Sequence, residues 1–267
     1  MSISKRLEEA RQAYARRDMA ASQRAHDAQR IAQAVEEHGG TGHQYIGDFV
    51  YGGLDGIITT FAVVSGVAGA SLGPGIVLIL GLANLFADGF SMATGAYLSA
   101  KSEREYYDRE REREAWEVAH FPDGERAELL EIYGQRGYTP EDAAALVALQ
   151  TQDHTRWVDT MMVHELGLLP DEKKPLFSAL ATFGAFVLAG VVPMFVFLVG
   201  LARPLEMSLS FGISLGLSAL ALFGLGAAKV LVTAMNWFRS GLEMLLVGGL
   251  AGGVAYLVGY LLKGLGA

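Results

Sequence analysis

Residues 76–120 read IVLILGLANLFADGFSMATGAYLSAKSEREYYDREREREAWEVAH, apolar in the first half and densely charged in the second. From Ile76 to about Leu98 the run is long enough to cross a hydrocarbon core of roughly 30 Å. No Pro or Gly follows to stop it, so the pattern predicts one helix continuing to about His120. At ~1.5 Å per residue such a helix measures on the order of 65 Å, and roughly half of it stands in water. The stretch therefore specifies an all-α membrane protein with a soluble block built directly onto a span.

Working outward, four more segments have membrane length: 46–70, 176–201, 207–230 and 241–262. A tight turn at Ser71-Leu72-Gly73-Pro74-Gly75 joins the first two spans. Pro193 is expected to kink the third, and Gly248, Gly249, Gly252 and Gly253 give the fifth a face of small residues for close helix packing. A hydrophobic content of 51% and 33 glycines suit this architecture. The chain has no cysteine, which excludes disulfides, thiolate metal sites and cysteine nucleophiles. Its net charge of -8 argues against nucleic-acid binding.

The organisation expected is a helical, solvated or surface-lying segment over 1–45 ended by Gly39 and Gly40, spans over 46–100, an acidic block over 101–174, and spans over 175–267. No cleavable signal peptide is evident, and the first span is expected to act as the insertion signal. Five spans put the termini on opposite sides. Nineteen Lys and Arg fall on the side of residues 1–45 and the acidic block, against two on the other, so both are expected to be cytoplasmic. No organelle-targeting signal is visible and the loops are short, which points to a bacterial inner membrane.

Within the block, Phe121-Pro122-Asp123-Gly124 should break the long helix, and Glu125 to Tyr133 should form a second, ended by Gly134 and Gly137. A third begins with Thr139 as N-cap and Pro140 at the first helical position, and should run to Leu166 with Gly167 as its stop. The block is thus expected to be a three-helix unit. Its eighteen acidic residues against ten basic ones make a cation-attracting surface.

Two sets of residues are suited to cation chemistry. Asp55 and Asp88 lie inside apolar spans, where a carboxylate costs about 2.5–3.5 kcal/mol and usually faces a cavity or pathway; the other account is a helix-locking hydrogen bond to Thr, Ser or backbone. Met92 stands one turn beyond Asp88, and a thioether beside a carboxylate suits a first-row ion such as Fe(II) better than Mg(II) or Ca(II). Asp48 and Glu243 sit nearer span ends, on faces expected to be solvated, and Lys229 is expected to snorkel. In the block, Glu114/Glu117 and Glu125/Glu128 are E-x-x-E pairs flanking a sharp turn, each on one helical face. Met161 and Glu165 share a face of the later helix; Trp157, Met161 and Leu168 also suit ordinary core. Alternating Glu and Arg, as in REREREAWE, is commonly a solvated face. The six His make no ferritin-type or zinc cluster, and no phosphate-binding loop is present.

Three segments, DGIITTFAVVSGVAGA at 55–70, ADGFSMATGAYLSAKSEREY at 87–106 and WVDTMMVHELGL at 157–168, resemble the vacuolar iron transporter family, which includes bacterial and plant nodulin-like members. The resemblance covers about Tyr45 to the C-terminus. It implies five membrane helices, a cytoplasmic three-helix metal-binding domain and a homodimer with the pore between subunits. By the same resemblance Asp55 and Met92 line the path, and Glu114, Glu117, Glu125, Glu128, Met161 and Glu165 form the metal site; Asp88 is counted with the path from its place inside the span, not from the resemblance. The activity implied is proton-coupled export of Fe(II), often also Mn(II), with no catalytic residue and no prosthetic group. A membrane-anchored metal buffer and a proton-coupled transporter of another solute are the rival classes.

Overall fold

The computed structural model describes residues 3–27, 43–170, 173–203, 205–228 and 236–264, and these are helical with no strand among them. The Gly39-Gly40 stop and Lys229 lie outside the described residues. The chain divides into residues 1–47 and 48–267. In the first unit, α1 (Ile3–Arg16) and α2 (Met19–Ala25) replace the single expected helix. Arg17 turns the chain at φ 54°, and the Asp18 carboxylate accepts from Ala21 N at 2.9 Å to start α2.

Among the described residues, five helices are long and apolar enough to cross a membrane. They are α3 (Ile46–Gly69), α4 (Pro74–His120), α8 (Pro175–Gly200), α9 (Met207–Ala228) and α10 (Trp237–Leu261). The long helix is therefore continuous, at 47 residues or about 70 Å. Close packing comes from small residues. A Cβ at Gly56 of α3 would overlap the Phe186 carbonyl of α8, and one at Gly252 of α10 would overlap the Phe61 ring of α3. Of the four glycines expected to form a packing face on α10, Gly248 and Gly252 pack within the chain, against Leu222 and Phe61, while Gly249 and Gly253 face open space. α8 runs through Pro193, whose carbonyl accepts from Ser214 Oγ of α9 at 2.6 Å. Leu188, Leu220 and Leu250 point outward, as lipid-facing side chains do.

The soluble block differs from the expected three helices. The end of α4 is followed by α5 (Pro122–Gln135), α6 (Pro140–Gln150) and α7 (His154–His164). Pro122 opens α5 at its first position instead of lying in a loop, and Gly134 sits inside its last turn. Thr139 caps α6 as expected, accepting from Asp142 N at 3.2 Å. The helix expected over 140–166 is broken at 151–153, because the Asp153 side chain accepts from Arg156 N at 2.8 Å and starts α7 afresh. Gly167, at φ 67°, closes its end, with Leu168 N donating to the Met162 carbonyl at 2.8 Å. Val118, Leu129, Tyr133, Val147, Trp157 and Met161 form the core that holds these helices together.

Candidate metal centre and membrane path

The same helical spacing that builds this core also delivers carboxylates to its edge. Glu114 precedes buried Val118 by one turn on α4, and Glu125 precedes buried Leu129 by one turn on α5. Both carboxylates are carried inward, leaving Glu114 0% and Glu125 5% exposed. Glu165 caps α7 and brings a third helix to the same place.

Two triads result. Carboxylate oxygens of Glu114, Glu117 and Glu125 lie within 4.8 Å of one another, and so do those of Glu125, Glu128 and Glu165. Glu125 belongs to both. Oε2 of Glu114 and Oε2 of Glu125 are buried without a hydrogen-bond partner. An unpartnered buried carboxylate oxygen is unfavourable unless it takes a proton or a cation. Burial pushes both carboxyls up to about 7; the charge of Glu165 adds to the effect at Glu114, and that of Glu114 adds to it at Glu125. Glu165 is raised by burial and by Glu128. The arrangement can hold divalent cations on oxygen ligands and exchange them for protons.

Five of the six residues expected at the metal site are thus brought together. The sixth, Met161, lies one turn before Glu165, fully buried in the core beside Trp157 and Met162. Arg113 is a member that sequence reasoning passed over: Nε donates to Glu110 at 3.0 Å, Nη2 to Glu114 at 2.6 Å and Nη1 to Glu117 at 2.5 Å. Its position one residue before Glu114 was a visible signal, masked by the general alternation of Glu and Arg. No His joins either triad.

In the spans, Asp55, Asp88 and Met92 are each half-buried. Asp55 and Asp88 lie within electrostatic reach of each other. Thr59 Oγ1 donates to the backbone carbonyl of Asp55 at 2.8 Å, not to its carboxylate, so this hydroxyl does not provide the helix lock. Met92 lines a cavity of about 410 Å³ with Asp48, Tyr51, Glu103, Lys173 and Ser178. Neither Asp55 nor Asp88 lines that cavity. Asp48, expected on a solvated face, is half-buried and accepts from Ser178 Oγ at 2.6 Å.

The sequence profile of the VIT family matches residues 46–260. A vacuolar iron transporter of Toxoplasma gondii is 38% identical over 267 aligned residues, covering 96% of this chain and 88% of the relative. A vacuolar iron transporter of Plasmodium falciparum is 33% identical, covering 98% of each chain. Vacuolar iron transporter 1 of Eucalyptus grandis is 36% identical, covering 87% of this chain and 92% of its own. The first two alignments reach into residues 1–45, beyond the expected limit of the resemblance at Tyr45. These relatives are not bacterial, and the expectation of a bacterial inner membrane is not borne out by them.

Proposed function

The chain belongs to the VIT family, and on that premise we propose that it is a proton-coupled transporter that moves Fe(II), and also Mn(II), out of the cytoplasm. What supports this most is the pair of carboxylate triads sharing buried Glu125 at the far end of a membrane-crossing helix. In this proposal the block over 101–174 is a cytoplasmic loading station. Glu114, Glu117, Glu125, Glu128 and Glu165 supply oxygen ligands, and Met161 supplies a thioether at the apolar edge, a donor set that suits Fe(II).

Ions then pass to Asp55 and Met92, with Asp88 alongside. The path is completed between the two copies of a homodimer, which covers side chains that one chain leaves half-buried. Protons arriving from the opposite side compete with the metal for Asp55, so that metal leaves as protons enter. The energy comes from the proton gradient.

The test is metal flux in proteoliposomes holding the purified protein, with and without a pH gradient. Fe(II) or Mn(II) uptake that rises with the gradient is expected. Saturable metal binding without flux would leave a membrane-anchored buffer, and gradient-driven flux indifferent to these metals would leave a transporter of another solute.

A further inference from the structure

We propose that Arg113 is a tethered cation that competes with the metal for the Glu114/Glu117 side of the cluster and sets how tightly the loading station holds its ion; this rests on the metal-site reading above. Its guanidinium contacts three carboxylates at once, Glu110, Glu114 and Glu117. Glu114 and Glu117 belong to the first triad, whereas Glu110 belongs to neither. A divalent ion that takes Glu114 and Glu117 as ligands therefore has to share or displace oxygens that the guanidinium already holds.

The surroundings suit displacement. Glu114 Oε2 and Glu125 Oε2, buried and unpartnered, give an incoming ion a first foothold that costs the arginine nothing. Repulsion between the ion and the guanidinium then drives the arm outward, and its side chain, 41% exposed, has room to go. Glu110 keeps it tethered, because Nε already donates there. When the ion leaves, the arm returns and neutralises the site. An arginine keeps its charge throughout, so the competing group does not titrate away. The result is a site that exchanges its ion quickly, as a loading station requires and a store does not.

Arg111 provides an internal control. It lies two residues away on the same helix but pairs with Asp159 at 2.7 Å, away from both triads.

The experiment titrates the full chain in detergent with Mn(II), reading the bound fraction by electron paramagnetic resonance and release by a chelator chase. Arg113→Gln removes charge-assisted hydrogen bonds that the ion otherwise has to break, so binding tightens by about tenfold or more and release slows in proportion. Arg111→Gln changes affinity by less than about threefold, the effect expected of an exposed charge alone. Glu110→Gln neutralises the tether and leaves only a weaker, uncharged acceptor there, which biases the arm toward Glu114 and Glu117 and weakens binding. That opposite sign separates competition from a structural role, since a damaged fold loses affinity in every variant. Unchanged or weaker binding in Arg113→Gln, or equal tightening in Arg111→Gln, would overturn the inference. If the unsubstituted protein shows no saturable Mn(II) binding, the metal site itself fails, an outcome distinct from failure of the arginine arm alone.

Discussion

The acidic block gathers five carboxylates within one chain and buries two of them, whereas Asp55, Asp88 and Met92 in the spans stay half-buried, and the cavity that Met92 lines includes neither aspartate. The contrast follows from what each region has to pack against. The block has its own core of Val118, Leu129, Trp157 and Met161, so its helices can fold their acidic turns onto one another. A span has only neighbouring spans and lipid, and a carboxylate left facing lipid is costly. Half-burial at Asp55 therefore argues for a covering surface outside one chain, which the proposed second copy supplies. On this view capture is complete within a protomer and passage is not.

The largest effect that can break this comparison is separation of the two functions. Asp55→Ala is expected to reduce proton-driven Fe(II) flux to background while Mn(II) binding to the detergent-solubilised protein stays within about twofold. Glu114→Ala combined with Glu117→Ala is expected to do the reverse, lowering affinity by about tenfold or more while flux recovers at saturating metal. Normal flux through Asp55→Ala would remove the membrane path, and equal loss of binding in both variants would mean the regions are not separate.

A smaller, pH-dependent effect should belong to the block. Glu114 and Glu125 sit at about 7, above the usual 4.5, so below pH 7 each holds a proton that the metal has to displace. Mn(II) affinity should then fall by up to about tenfold per pH unit for each proton displaced, and level off above about pH 8. Stability without metal should run the opposite way. Between the unfolded value near 4.5 and the folded value near 7 the folded chain binds more protons, so its stability is greatest below that window and declines as pH rises through it. Metal should restore the loss most at pH 8. A melting temperature that is flat from pH 5 to 8, with and without Mn(II), would show that these carboxyls are not held in the way described.

How far the site could be read in advance depended on whether the signal was local. The long helix was legible because nothing between Ile76 and His120 interrupts it, and the start of α6 was legible because Thr139-Pro140 is a local cap. The break at 151–153 was missed because it rests on one Asp153 side chain within a sequence free of Gly and Pro. Burial of Glu114 was harder still. Along REREREAWE every acid looks alike, and only the step of four to Val118, matched by Glu125 and Leu129 on the next helix, marks which ones turn inward. Such a step gains meaning only when both helices are known to pack by those faces. The contacts of Arg113 with Glu110, Glu114 and Glu117 are local to one helix, but only the inward turn of Glu114 shows which of them bear on the cluster.

The smallest expected effect concerns Met161, where core packing and metal ligation are superimposed. The side chain is fully buried among Leu129, Tyr133 and Trp157, so truncation to Ala would damage the fold and report nothing about metal. Met161→Leu conserves volume and should cost less than about 1.5 kcal/mol in denaturant titration. It removes only the sulfur, and a thioether contributes more to Fe(II) or Co(II) than to the harder Mn(II). If Met161 is a ligand, Co(II) affinity should drop by a few fold, on the order of three to ten, while Mn(II) affinity is unchanged and the ratio of the two shifts. An unchanged ratio with intact stability would return Met161 to the core alone and leave capture to the five carboxylates. The selectivity for Fe(II) would then have to arise at Met92, in the region that one chain does not complete.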